Sequence, residues 1–144
     1  MADFPMGPAE VQKKLSRNDL GLTGSHQAGI VVPKQADILA FFPALNESTM
    51  NPRETMTVRC LVSGDLLKLS FIHYNGRLHR LSTRDEYRLT GLTRYLRRRD
   101  ALDGDTLRLS RGAAGYSIDV IGLALSQKEH DSSVALTSLW KASY

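Results

Sequence analysis

A chain of 144 residues with 42% hydrophobic and 24% charged side chains is long enough to bury one core and too apolar to be disordered throughout, so a single globular domain is expected. A lone cysteine, Cys60, excludes an internal disulfide and points to a reducing, cytoplasmic setting, and no apolar run is long enough for a signal peptide or a bilayer span, so no membrane partner is expected. The net charge of +4 is held unevenly: eight of the thirteen arginines lie between Arg77 and Arg99 against only Asp85 and Glu86, giving that window +6 and the remainder −2. A local guanidinium field of this kind suits a polyphosphate partner.

In chain order, residues 1–8 read as a flexible N-terminus, 9–125 as the domain, and 126–144 as a linker or C-terminal extension. Val11 to Leu15 and Gly29 to Pro33 read as strands flanking a polar excursion of Arg17, Asn18, Asp19, Ser25, His26 and Gln27 that is too long for a tight turn. Gln35 to Phe42 has helical spacing and is stopped by Pro43. Period-two alternation from Met56 to Val62 and from Leu67 to Phe71 predicts an antiparallel pair broken at Ser63-Gly64-Asp65. Asn75-Gly76 predicts a reversal into a further strand over Arg77 to Leu81, and Ser82 to Arg88 reads as a loop with Thr83 and Glu86 as a capping box. A short helix is expected over Leu92 to Arg98. Leu107 to Leu109 and a continuously apolar Ile118 to Leu125 then close the series as strands around the Gly112 to Gly115 turn. Beyond Ser126 a polar stretch precedes an amphipathic piece, Val134 to Trp140, that docks on the domain or leads elsewhere. The fold class is mainly β, a barrel or sandwich with one or two small helices.

Two polar excursions therefore leave a β scaffold. The second holds Arg84, Asp85, Glu86, Tyr87 and Arg88. Arginine for guanine, asparagine or glutamine for adenine and a carboxylate for cytosine are the side chains that read a duplex in its major groove. A pure phosphate binder has no use for Asp19, Asp85 and Glu86, so these either read bases, hold arginines in place, or serve only as turn formers and caps. Arg77, Arg80, Arg94 and Arg97 suit backbone contacts. Tyr74, Tyr87 and Tyr95 offer stacking to unpaired bases, the alternative of an RNA or single-strand binder, or else simply pack. Catalytic signals are poor. Asp100, Asp103 and Asp105 lack the calcium-loop pattern, His73 and His79 lack further ligands across their turn, and Cys60 reads as an inert mid-strand core residue. No enzyme and no cofactor is expected of this chain.

The run Lys14-Leu-Ser-Arg-Asn-Asp-Leu-Gly-Leu-Thr-Gly-Ser-His-Gln-Ala-Gly-Ile30 with Val31-Val-Pro33, together with Ser82-Thr-Arg-Asp-Glu-Tyr-Arg-Leu-Thr90 and Tyr74-Asn75, resembles the N-terminal effector domains of EcoRII-type (type IIE) restriction endonucleases. The resemblance implies a B3-like DNA-binding pseudobarrel of about seven strands with two short helices. It places Arg17, Asn18, Asp19, His26 and Gln27 on an N-arm and Arg84, Glu86 and Arg88 on a C-arm that grip the major groove of double-stranded DNA. Tyr87 and Ser82 stand where the family member has lysine. The resemblance further implies a target such as CCWGG, a fused C-terminal nuclease domain using Mg2+, and no catalysis in this domain; a stand-alone transcriptional regulator of the same fold is the alternative.

Overall fold

The computed structural model describes residues 7–22, 29–122 and 140–144. Eight strands form one curved sheet: β1 (Glu10–Lys14), β2 (Ile30–Val32), β3 (Arg53–Cys60), β4 (Leu66–Tyr74), β5 (Glu86–Thr90), β6 (Thr106–Gly112), β7 (Gly115–Ile121) and β8 (Trp140–Ser143). Two short helices interrupt them, α1 (Ala36–Leu39) and α2 (Thr93–Arg98). The strand order is β2-β5-β4-β3-β7-β6-β1-β8, antiparallel throughout except for the β3–β7 pair. The two edge strands come together where Trp140 Nε1 donates to the Val31 carbonyl at 3.1 Å, so the sheet is nearly closed on itself.

The period-two residues line the interior. Met56, Val58 and Cys60 of β3, Leu69 and Phe71 of β4, and Leu107 and Leu109 of β6 are all buried. Phe41 and Phe42 follow α1 into this core, where Phe42 stacks on Phe71 with ring centroids 4.6 Å apart and meets Trp140 edge-on. Such aromatic pairs add about 0.5–1.5 kcal/mol each beyond the area they bury. Arg111 closes the end of the barrel by donating to the carbonyls of Phe41 and Pro8.

Several expected elements differ. Arg77 to Leu81 is not a strand: the chain coils there, with Leu81 N on the Gly76 carbonyl at 2.8 Å and Arg80 at φ +59. The strand instead begins at Glu86, inside the stretch expected to be a loop, so Thr83 and Glu86 form no capping box. The strand, with Arg88 and Leu89 buried, hid behind the polar sequence Glu-Tyr-Arg. The last strand of the central series is Gly115–Ile121, and only Ile118 and Ile121 in it are buried; residues 123–125 lie outside the described part. Cys60 ends β3 rather than sitting in mid-strand. His73 and His79 do not face each other across a hairpin but both hold the segment around Glu47. At the C-terminus, Trp140–Ser143 docks as β8 against β1, while the expected amphipathic piece before it falls outside the described residues. Among the described residues no helix is long and apolar enough to cross a membrane.

Candidate nucleic-acid interface

The strand register fixes where the two polar excursions sit. β2 and β5 pair antiparallel with Ile30 opposite Leu89 and Val32 opposite Tyr87. The first excursion returns into β2 beside the Thr90 end of β5, and the second enters β5 at its Glu86 end. Three paired residues, about 10 Å of strand, separate them. Gly29 makes the first return possible: it has φ +81, and a Cβ there would lie 2.3 Å from the Leu89 carbonyl oxygen.

Because Leu89 points inward, Arg88 and Glu86 point outward, and cross-strand partners carry that outer face across the sheet. One row runs Arg53, Ile72, Arg88, Val31; the next runs Tyr74, Glu86. Glu86 Oε2 accepts from Arg88 Nε and from Arg84 Nη2, the latter at 3.4 Å, while the Arg84 guanidinium lies 3.9 Å from the centre of the Tyr74 ring. Burial pulls the Glu86 carboxyl upward, but the hydrogen bond and charge of Arg88 and the charge of Arg84 outweigh it and leave the group below the usual carboxylate range. Glu86 is thus an anion that orients two forks of donors. Arg84 is exposed, and Arg88 is only 6% exposed. Arg53 belongs to the same face and went unnoticed in the sequence, since it lies far from the arginine cluster and only the register brings it there.

The remaining predicted residues divide. Arg17 and Asn18 are exposed on a compact turn. Asp19 holds that turn: its carboxylate accepts from Ser16 N at 2.9 Å and from Lys13 Nζ at 2.5 Å, and Ser16 Oγ accepts from Asp19 N in return. Ser25, His26 and Gln27 lie outside the described residues. Arg77 and Arg80 are exposed on the coil before β5, and Arg94 and Arg97 are exposed on α2. The arginine window is therefore not one spatial patch, because the length of β5 separates Arg77–Arg88 from α2. Arg99 leans toward Asp119, which also accepts from Arg108 at 3.0 Å. Tyr87 faces the interior, stacked on His73 at 4.0 Å and on Phe71 at 5.7 Å. Tyr95 is buried, and burial raises its hydroxyl well above the ordinary tyrosine range. Tyr87 and Tyr95 are thus engaged inside, and the Arg84 guanidinium covers one side of the Tyr74 ring.

Behind this face a polar network anchors the second excursion. His73 places Nδ1 on Glu47 Oε1 at 2.7 Å and Nε2 on Asp85 Oδ1 at 2.9 Å, and Asp85 also accepts from Lys34 Nζ at 2.7 Å. Asn75, fully buried, donates from Nδ2 to Glu47 Oε1 and to the Thr49 carbonyl, and its Oδ1 accepts from Asn51 N at 2.7 Å. The hydrogen bonds from His73 and Lys34 hold Asp85 down at about 2. A carboxyl depressed below its unfolded value of about 3.9 stabilises the fold fully above that value and loses the contribution as pH falls through the folded pKa. Asp85→Asn is therefore expected to be less stable than the parent at about pH 6, with the gap closing between about pH 4 and pH 2. Urea unfolding across that range checks it; a gap independent of pH would contradict the assignment.

The sequence family described as restriction endonuclease EcoRII, N-terminal, matches residues 8–106. Among solved structures, the B3 domain of the UbaLAI restriction endonuclease with cognate DNA is similar at a TM-score of 0.60 and 18% identity, covering 96% of this chain and 87% of that one. The Arabidopsis FUS3–DNA complex is similar at a TM-score of 0.58 and 16% identity, covering 76% and 93%. The N-terminal domain of Helicobacter pylori LlaJI.R1 is similar at 0.51 and 16%, covering 94% and 98%. No curated protein sequence matches significantly. The nearly closed sheet with two short helices is the B3-like pseudobarrel.

Proposed function

Since the chain belongs to the EcoRII N-terminal family of restriction endonucleases, we propose that it is a sequence-specific double-stranded DNA-binding domain that reads the major groove with its two polar excursions. One observation carries this reading: Arg84 and Arg88 are tied by one carboxylate, with Tyr74 beneath Arg84, where the second excursion meets the outer face of β5. Holding arginine forks in a fixed orientation before binding lowers the entropy lost on contact and favours bidentate recognition of guanine O6 and N7. Arg17, Asn18, Ser25, His26 and Gln27 form the N-arm, and Arg77, Arg80, Arg94 and Arg97 take the phosphates. Asp19, Asp85 and Glu86 position these arms rather than read bases, and Tyr87 supports β5 from inside.

Two similar folds were solved with DNA, the UbaLAI domain with its cognate sequence, which favours a duplex target here too. The whole enzyme would couple this domain to a Mg2+-dependent nuclease domain that follows it, with a target of CCWGG type. A selection from randomised duplexes tests the reading. A short motif should be enriched, and excess RNA or single-stranded DNA should not displace it; enrichment without any motif, or displacement by single strands, would overturn the proposal.

A further inference from the structure

The coil that replaces the expected strand before β5 presents two leucines to solvent: Leu78 is 61% exposed and Leu81 is 70% exposed. Single exposed leucines are ordinary on protein surfaces. Here, however, both stand on a turn that is held from several sides. Arg80 N bonds the Arg77 carbonyl at 3.1 Å, Leu81 N bonds the Gly76 carbonyl at 2.8 Å, and Arg77 N bonds the Arg84 carbonyl at 2.9 Å. His79 Nε2 sits 3.0 Å from the Glu47 carbonyl, and Asn75 is locked beneath. Gly76 lets the turn close, since a Cβ there would meet Ser82 Oγ at 2.0 Å. A backbone so fixed loses little further freedom on contact, so only the rotamer freedom of the two leucines offsets the apolar area they bury.

The occupant follows from the neighbours. Arg77, Arg80 and Arg84 are exposed on the same segment, so whatever meets the leucines also carries negative charge. In the major groove of a duplex the exposed apolar group is the C5-methyl of a pyrimidine. We infer that Leu78 and Leu81 are a specificity element for a C5-methylated pyrimidine, thymine or 5-methylcytosine, at the edge of the site that Arg84 reads. This rests on the proposed function and adds to it a readout that no hydrogen bond supplies.

The test uses the duplex obtained by selection, with each thymine replaced in turn by deoxyuridine and each cytosine by 5-methylcytosine. At one position, loss of a methyl should weaken binding about fourfold, or gain of one should strengthen it about fourfold, the size expected for one buried methyl group. A variant carrying both Leu78→Ala and Leu81→Ala should lose that sensitivity while keeping its thermal stability, because both side chains are exposed. Methyl-insensitive binding by the parent, or unchanged sensitivity in the variant, overturns this inference alone. Absence of duplex binding by the parent would overturn the proposed function and this inference with it.

Discussion

Arg84→Ala is expected to weaken binding to the selected duplex about 10- to 100-fold and to relax the preference at one base pair, while binding to random duplex changes by no more than about threefold. The magnitude is that of one bidentate base contact, roughly 1–3 kcal/mol. Arg84 is exposed and stacked over Tyr74, so its removal takes away a reader without opening the core. Arg97→Ala supplies the contrast. An exposed arginine on α2 meets phosphate in this account, and its loss should weaken selected and random duplexes alike and flatten the salt dependence by about one counterion. Equal losses on both duplexes for Arg84→Ala would remove it from base reading. Arg88→Ala should combine two costs, specificity and stability, because its buried guanidinium also holds Glu86. Titrations by fluorescence anisotropy on both duplexes, with a thermal melt of each variant, separate these outcomes.

Asn75→Ala is expected to be the most damaging single change away from the apolar core, at about 2–4 kcal/mol. The side chain satisfies the Asn51 amide, the Thr49 carbonyl and Glu47 at once, and it is fully buried. Truncation removes the partner of the Asn51 amide and the Thr49 carbonyl and one of the two partners of Glu47, and each such loss costs about 1–3 kcal/mol where the group stays buried. Asn75→Asp should be no better. It keeps the acceptor for Asn51 N but turns the donor toward Glu47 and Thr49 into a second acceptor, which repels both. Urea unfolding measures the change. A loss under about 0.5 kcal/mol for either variant would mean that the network does not anchor the turn.

That network also explains what could be read in the chain and what could not. β3, β4 and β6 announce themselves by alternation, since Met56 and Val58, Leu69 and Phe71, and Leu107 and Leu109 are buried at every second position, and α2 shows as Leu92, Tyr95 and Leu96 at helical spacing. The sequence suggests a strand over Arg77 to Leu81 because Asn75-Gly76 is the usual signature of a two-residue hairpin. Here the Asn75 side chain turns inward to bond three residues of one segment, Glu47, Thr49 and Asn51, a role set by tertiary contacts 24 to 28 residues away. β5 was hidden because its outward residues are a carboxylate and an arginine that pair with each other, so its polarity looked like that of a loop. The two excursions and their arginines were legible as a group. Their division of labour was not: whether Glu86 reads a base or holds Arg84 and Arg88 depends on a side-chain contact, and Arg53 joins the face only through the β3–β4–β5 register.

The most direct measurement replaces each guanine of the selected duplex in turn by 7-deazaguanine, which removes the N7 acceptor from the major groove and leaves base pairing intact. The account predicts that at one or more positions the parent protein binds about tenfold or more weakly, and that Arg84→Ala no longer responds at one of them. Binding that ignores the substitution at every guanine would contradict a domain that reads the major groove.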